Sequence, residues 1–237
     1  MKYQAYGLSD RGYIRAKNED AFFLDTDRRI FAVADGIGGM LHGEIASQAA
    51  IDSLRSTIAD GSLNDLLTTK NVIPRLNKAV FTTGIENDAP GSIGTTFSML
   101  TLEGAKAHLL HVGDSVIFRF RNGNPEKLTA AHNVEFEAHS RGVPVDTSST
   151  YRYALTRYLG MKDSPIPQID SFTLLKDDRF LICTDGVSDF VDAGTLASEI
   201  TASSTPEQFL QKILQCCLET GGHDNITAIA LFIESTD

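Results

Sequence analysis

Residues Ile30-Phe-Ala-Val-Ala-Asp-Gly-Ile-Gly-Gly39 form a short apolar run that ends in an aspartate followed by glycines. Apolar, β-favouring residues that stop at a turn signal are typical of a buried strand. We therefore expect a strand over 30–34, with the carboxylate of Asp35 at the rim of a sheet and facing a cleft. Gly36 has no side chain, so the backbone there can approach whatever this carboxylate holds.

The same pattern occurs three more times along the chain. Two further apolar runs end in an acid, at Asp114 and at Asp185, and a fourth run begins just after Asp224. One acid at a strand end means little, because aspartate is common in turns. Four of them predict that Asp35, Asp114, Asp185 and Asp224 gather at one edge of a sheet.

Helical and strand-like segments are grouped rather than alternating. Apolar residues recur at helical spacing over 43–58 and 72–86, and a series of β-rich segments follows between 95 and 121. This grouping favours segregated helix and sheet layers, an α+β fold, over alternating β-α-β units.

The region 129–167 is the least regular part of the sequence and contains several glycines and prolines. Long irregular stretches in compact domains are often lids or binding loops. A strand pair follows it, then a helix over 206–219 and a last strand over 226–233. Because no repeat, low-complexity segment or linker interrupts the sequence, we predict one domain over 1–237.

Composition limits the possible partners. The chain has 237 residues, 42% of them apolar, and 21 Lys and Arg against 31 Asp and Glu give a net charge of −10. Such acidity disfavours binding to nucleic acid or to an anionic membrane, and no apolar run approaches the roughly 18 residues of a membrane span. Three cysteines without metal-ligand spacing do not form a disulfide framework. We therefore expect a cytoplasmic protein.

Six aspartates are candidate metal ligands, and they share positions at or near predicted strand ends: Asp20, Asp35, Asp114, Asp185, Asp189 and Asp224. Taken singly, each is better explained as a turn residue. Crowded carboxylates cannot all stay ionised unless a cation offsets their repulsion. An oxygen-only set suits hard ions such as Mg2+ or Mn2+, and two ions about 4 Å apart would activate a water between them.

Arg15 lies five residues before Asp20. Most arginines of this kind are solvated surface residues, but a guanidinium is also a planar, permanently charged partner for phosphate. The glycines after Asp35 match neither the Walker nor the dinucleotide-binding pattern. No Gly-x-Ser-x-Gly motif is present, so water is the expected nucleophile. His42, His132 and His223 are more plausible as hydrogen-bonded structural residues than as proton shuttles.

The ordered set of motifs resembles the metal-dependent Ser/Thr protein phosphatases of type 2C in their bacterial single-domain form. The matching pieces, in chain order, are Arg15-x-x-Asn-Glu-Asp20, Val33-Ala-Asp-Gly-Ile-Gly-Gly39 with Gly43-Glu44 and Ala46-Ser47, Gly94-Thr-Thr96, His111-Val-Gly-Asp-Ser115, Thr184-Asp-Gly-Val-Ser-Asp189 and Asp224-Asn-Ile-Thr227. Each piece alone is weak, whereas the ordered set is highly specific and spans most of the chain.

The resemblance implies a four-layer α-β-β-α sandwich, with two antiparallel sheets flanked by helices. It also implies that Asp35 bridges two Mn2+ or Mg2+ ions and that the Gly36 carbonyl binds one of them. The resemblance further implies that Asp185 and Asp224, with Asp20 beside them, ligate the second metal and that Glu19 acts through water. Asp114 and Asp189 would form a weaker third metal site. Arg15 would bind the substrate phosphate, and 129–167 would contain a flap over the site.

The implied reaction is hydrolysis of phosphoserine or phosphothreonine in proteins by a water that bridges the two metals. The expected partners are phosphoproteins and a cognate Ser/Thr kinase or its targets, and the expected state is a monomer. Ile37 occupies the position where eukaryotic relatives carry an acid histidine, so metal-bound water would supply the leaving-group proton. Two alternatives stay open: a phosphatase of small phosphate esters, and a catalytically silent relative used as a binding module.

Overall fold

A computed structural model describes residues 1–37, 42–59, 72–89 and 91–236. Gly38 and Gly39, which belong to the second of the matching motifs, lie outside these ranges. The strands of the described residues are β1 (Lys2–Asp10), β2 (Asp20–Asp25), β3 (Ile30–Asp35), β4 (Phe97–Glu103), β5 (Lys106–Val112), β6 (Val116–Arg121), β7 (Asn124–Lys127), β8 (Gln168–Thr173), β9 (Arg179–Cys183) and β10 (Ile226–Ser235). The helices of the same residues are α1 (Gly43–Ala59), α2 (Val72–Glu86), α3 (Val134–Ser140), α4 (Asp185–Ser188), α5 (Ala193–Ala202) and α6 (Pro206–Glu219).

The strands form two antiparallel sheets. Sheet I has the order β1-β10-β9-β6-β7, and sheet II has the order β2-β3-β4-β5-β8. The faces of the two sheets that meet are lined by apolar side chains such as Phe31, Leu100, Phe180 and Leu231, all with no exposed surface. This shared core joins the two sheets into a sandwich.

Strand β3 shows why the sequence of this sheet reads as a continuous apolar run. Side chains alternate between the two faces of a strand. Phe31 and Val33 point into the core between the sheets, while Ile30, Ala32 and Ala34 point to the opposite face and pack under helices. Both faces are therefore buried, and no polar residue is tolerated until the strand ends at Asp35.

Helices cover the outer face of each sheet. Leu54 of α1 and Leu76 of α2 belong to the core on sheet II, whereas Phe209 and Ile213 of α6 belong to the core on sheet I. Burying one large apolar side chain contributes about 1.5–3 kcal/mol to the free energy of unfolding. The result is the expected α-β-β-α sandwich, and the prediction of segregated layers is confirmed.

The sequence pattern did not predict every element: α4, α5 and β7 are among those it missed. Helix α5 has only Leu196 and Ile200 buried, a single i, i+4 pair that is too short a stripe to reveal a helix by periodicity. Its N-terminus is capped by Asp192, whose Oδ1 accepts from the backbone nitrogens of Gly194 and Thr195. Strand β7 is exposed at all four positions and pairs only with β6, so it carries no hydrophobic pattern.

None of the helices in the described ranges combines the length and the apolar character that a membrane crossing requires.

Candidate active site

The register of β2 and β3 brings the first two acids together. Asp20 begins β2 and Asp35 ends β3, and the two residues are direct partners across the antiparallel pair. The backbone of Asp35 is fixed by the two residues that precede β4, because its nitrogen donates to Thr96 Oγ1 at 3.0 Å and its carbonyl accepts from Thr95 Oγ1 at 2.8 Å.

Two more acids come from sheet I. Asp185 follows β9 as the first residue of α4, and Asp224 precedes β10, which pairs with β9. A bond between the sheets links the two sets, since Thr184 Oγ1 donates to Asp20 Oδ2 at 2.9 Å. We call Asp20, Asp35, Asp185 and Asp224 the carboxylate floor.

The prediction of one sheet edge was wrong. Asp35 belongs to sheet II, Asp185 and Asp224 belong to sheet I, and Asp114 lies in the turn that leads from β5 of sheet II to β6 of sheet I. The sequence pattern identifies strand ends but not the sheet to which each strand belongs. The acids therefore meet at one end of the sandwich, where the edges of two facing sheets come together.

The acids of this site repel one another. Burial is the largest cause that raises the pKa of Asp20 and of Asp114 from 3.8 to about 6, and that of Asp185 from 3.8 to about 7. Burial and the negative charges of Asp20 and Asp185 hold the pKa of Asp35 well above its usual range. Negative charge is thus concentrated here beyond what the surrounding protein compensates.

Arg15 is the cation at this site. Its Nη2 donates to Asp224 Oδ2 at 2.6 Å, and 39% of its side chain is exposed. The hydrogen bond that Arg15 donates to Asp224 raises the pKa of Arg15 above its already high value. Arg15 is therefore charged, close to the carboxylate floor and open to solvent on one side.

Asn225 holds the loop that carries Arg15, although no role was predicted for this residue. Its Nδ2 donates to the carbonyls of Arg11 and Lys17, both at 2.9 Å, and its Oδ1 accepts from the Glu19 nitrogen at 2.8 Å. Only 4% of Asn225 is exposed. Its position directly after Asp224 in the last motif was the one available signal.

The remaining predicted residues lie around the floor. Burial raises the pKa of Glu19 and of Asp189, the latter at the exposed end of α4. Gly36 packs so closely on the backbone of Gly43 that an added Cβ would collide with the Gly43 carbonyl oxygen. This close contact is with the Gly43 backbone, and the approach predicted for Gly36 toward a group held by Asp35 stays a prediction.

Arg15 and three acids open into a common cleft of about 460 Å³. The cleft is lined by Arg15, Asp35, Ile37, Thr96, Asp114, Tyr153, Ala154, Leu155, Tyr158 and Asp185. Tyr153, Ala154, Leu155 and Tyr158, which we call the cleft wall, come from the irregular region 129–167. No motif marked these four residues, because an irregular segment has no periodicity that shows which side chains point inward.

Two histidines connect this region to the site but perform no evident chemistry. His132 Nδ1 accepts from the Gly113 nitrogen at 3.2 Å, and the ring of His132 lies 4.8 Å from that of the buried His111. Burial lowers the pKa of His132 to about 4 and that of His111 to about 3. Both rings are neutral near pH 7, as expected for structural histidines.

The donor set suits a hard divalent cation, although its present arrangement does not form a coordination shell. Throughout the part of the chain that the structure describes, no three His, Cys, Asp or Glu side chains are arranged so that they could hold a metal ion. Asp20 and Asp224 each turn one oxygen toward a protein donor, Thr184 and Arg15. An all-oxygen set of mutually repelling carboxylates nevertheless has the ligand chemistry that Mg2+ or Mn2+ prefers.

The sequence profile described as Protein phosphatase 2C matches residues 15–228. This chain belongs to that family. The match begins at Arg15 and includes every acid of the carboxylate floor, so the family assignment and the site rest on the same residues.

Individual relatives agree with this assignment. The chain is 28% identical over 240 residues to the serine/threonine protein phosphatase PstP of Mycobacterium tuberculosis, covering 100% of this chain and 46% of PstP. The chain thus spans about half the length of that relative. A crystal structure of PstP/Ppp from the same organism has a TM-score of 0.86 at 27% identity and covers 98% of this chain and 99% of the other.

A second structure concerns the metal question. It is the catalytic domain of PstP in complex with two manganese ions, and it has a TM-score of 0.78 at 25% identity, covering 98% of this chain and 99% of the other. The two manganese ions belong to that protein.

Proposed function

We propose that this chain is a metal-dependent protein phosphatase that hydrolyses phosphoserine and phosphothreonine. The observation that carries the proposal is the meeting of Arg15 with Asp35 and Asp185 in one cleft of a protein phosphatase 2C family member. A permanently charged guanidinium beside concentrated carboxylates can bind a phosphate and the cations that accompany it.

The metal ligands are proposed from the resemblance to the family, residue by residue, on the acids of this site. Asp35 and the Gly36 carbonyl would hold one ion. Asp35, Asp185, Asp224 and Asp20 would surround a second ion, with Glu19 acting through water. Asp114 and Asp189 would hold a weaker third ion. Two bound Mn2+ or Mg2+ ions would lower the pKa of a water between them and offset the charge of the phosphoryl oxygens.

Arg15 binds and orients the phosphoryl group. Its guanidinium now bonds Asp224, and its exposed side faces the cleft. When a phosphorylated residue enters, the fork of Arg15 N–H groups can pair with two phosphoryl oxygens, which fixes the phosphorus relative to the floor. The loop held by Asn225 keeps Arg15 at this distance.

Ile37 lines the cleft. It occupies the position at which eukaryotic relatives carry a histidine that donates a proton. Its aliphatic side chain cannot protonate the leaving serine or threonine oxygen. Next to the cleft wall, Ile37 instead gives one side of the cleft an apolar surface.

The substrates we propose are phosphorylated proteins, with a Ser/Thr kinase acting on the same residues as the source of the phosphate. Support comes from the relatives that are named Ser/Thr protein phosphatases. The protein is proposed to act as a monomer.

The test is phosphate release from a phosphothreonine peptide with Mn2+, with EDTA, and with the variant Asp185→Asn. We expect Mn2+-dependent release that EDTA abolishes and that Asp185→Asn lowers by ~10²-fold or more. Asp27→Asn is the matched control, because it makes the same change at an exposed position between β2 and β3. Calorimetric titration with Mn2+ should show weaker binding for Asp185→Asn only.

The same experiment separates the two rival functions. A binding module would fold and yet release no phosphate from a panel of peptides or from p-nitrophenyl phosphate. A phosphatase of small esters would hydrolyse p-nitrophenyl phosphate with a higher kcat/KM than any peptide. Either outcome would contradict the proposal.

A further inference from the structure

Asn77 is a buried polar side chain on the outer helix α2, far from the carboxylate floor in sequence. Only 5% of it is exposed. Its Oδ1 accepts from the nitrogens of Gly160 and Met161 at 2.8 and 3.1 Å, and its Nδ2 donates to the Met161 carbonyl at 2.9 Å. One amide therefore fixes three backbone groups at the end of the irregular region, and buried polar groups of this kind are costly to leave unpaired.

The backbone held by Asn77 continues directly to the site. Leu159 pairs with Thr95 in both directions, with N···O distances of 2.8 and 3.1 Å. Thr95 Oγ1 in turn donates to the Asp35 carbonyl at 2.8 Å. A path of hydrogen bonds and connecting backbone thus runs from α2 to Asp35 of the carboxylate floor.

The residue before this bridge is Tyr158, the largest side chain of the cleft wall along with Tyr153. An added Cβ on Gly94 would lie 2.7 Å from Tyr158 Cδ2 and 2.8 Å from Ile37 Cδ1. The ring of Tyr158 therefore packs against Gly94 beside Ile37, and a side chain at position 94 would collide with both residues. The position of the ring depends on where residues 159–161 are held.

We propose that Asn77 is a positioning residue that sets the cleft wall for binding of the peptide around the phosphorylated residue. The inference rests on the proposed phosphatase function and specifies how that cleft distinguishes a peptide from a small ester. A small aryl phosphate reaches Arg15 and the floor alone, whereas a peptide must also lie along the wall. Displacing the wall should therefore weaken peptide binding selectively.

The first test compares Asn77→Leu with the parent on a phosphothreonine peptide and on p-nitrophenyl phosphate. We expect KM for the peptide to rise ~10-fold while kcat/KM for the ester changes less than ~2-fold. Asn87→Leu is the matched control: Asn87 follows the same helix, is exposed, and its side chain donates to the Thr83 carbonyl of that helix. It should leave both substrates unaffected. Equal losses on both substrates would overturn the proposal.

The variant Asn77→Asp offers a rescue by pH. A neutral carboxylic acid can accept from Gly160 and Met161 and donate its O–H to the Met161 carbonyl, as the amide does. An ionised carboxylate would instead face that carbonyl oxygen. The ratio of peptide KM in the variant to that in the parent should therefore fall toward one as pH is lowered, with no such trend in the ester ratio. A pH-independent peptide ratio would contradict the proposal, and this arm remains usable if Asn77→Leu does not fold.

Hydrogen exchange measures the positioning without any activity. The amides of Gly160 and Met161 should exchange ~10-fold faster or more in Asn77→Leu, with the change confined to 153–161 and absent from β3 and β9. If the parent releases no phosphate from any substrate but this local loss of protection is seen, the phosphatase proposal fails and the positioning role stands. Unchanged exchange at 153–161 would overturn the positioning role whatever the activity.

Discussion

The carboxylate floor and the cleft wall face each other across one cleft, but they are built in different ways. The floor consists of residues at strand ends, such as Asp35 and Asp185, whose positions follow from antiparallel pairing. The wall consists of residues in a region with little regular structure, and the adjoining residues 159–161 are held by hydrogen bonds to Asn77 and Thr95, which are distant in the sequence.

This difference indicates how the two sides can vary. The floor cannot move without disrupting the strands β3, β9 and β10, which are buried in the core on both faces. The wall depends on a few backbone groups of 153–161 and on one or two side chains that hold them. We infer that the floor provides the chemistry and is rigid, whereas the wall sets the choice of substrate and can be altered separately.

The largest expected effect concerns the floor. Asp35→Asn should lower kcat/KM by ~10³-fold on both a phosphothreonine peptide and p-nitrophenyl phosphate. The reason is that Asp35 is a proposed ligand of the metal ions, which act on the phosphate of either substrate. The same change removes a buried, repelled charge, so the melting temperature in EDTA should rise by about 2–4 °C. Activity assays and thermal unfolding check the two halves of this prediction.

Asp52→Asn, an exposed acid on α1 that bonds Gln48, is the matched control and should change neither quantity. If Asp35→Asn lost activity only on the peptide, the separation between floor and wall would be wrong. If it lowered the melting temperature, Asp35 would be a structural residue and not a repelled one.

The sequence predicted the floor better than the wall for a physical reason. Strand ends are recognisable because a buried strand excludes polar residues, so an acid such as Asp35 or Asp185 marks where the strand stops. The grouping of the acids at one end was also predictable, but their division between two sheets was not, because pairing between strands distant in sequence leaves no local signal. Tyr158 and Asn77 left no signal of either kind, since their roles depend on contacts between 77, 95 and 159–161.

A smaller effect concerns the stability of the floor. In the unfolded chain Asp185 titrates near its ordinary value of 3.8, and in the folded protein its pKa is about 7, raised first by burial. Between these values the folded state holds a proton that the unfolded state has lost. The contribution of Asp185 to stability is therefore greatest below about pH 4, falls as pH rises to about 7, and is constant above that.

Removing the titrating group should remove this slope. In EDTA, the free energy of unfolding of Asp185→Asn minus that of the parent should increase by about 1–2 kcal/mol between about pH 5 and about pH 8. Urea unfolding at several pH values measures it. A difference that stays flat, or that decreases with pH, would show that Asp185 is stabilised as the carboxylate, by Arg15 or another donor, and that burial and repulsion do not raise its pKa.

The smallest expected effect concerns the wall. It is the prediction that best tests whether the wall acts separately from the floor. Tyr158→Leu keeps an apolar side chain on Gly94 but loses the aromatic face that a peptide would contact. We expect kcat/KM for a phosphothreonine peptide to fall ~5-fold, which corresponds to about 1 kcal/mol, with the ester and the Mn2+ affinity unchanged. Tyr151→Leu is the control, because Tyr151 is 70% exposed and does not line the cleft. A loss on the ester as large as on the peptide would mean that the wall takes part in the chemistry and is not separable from the floor.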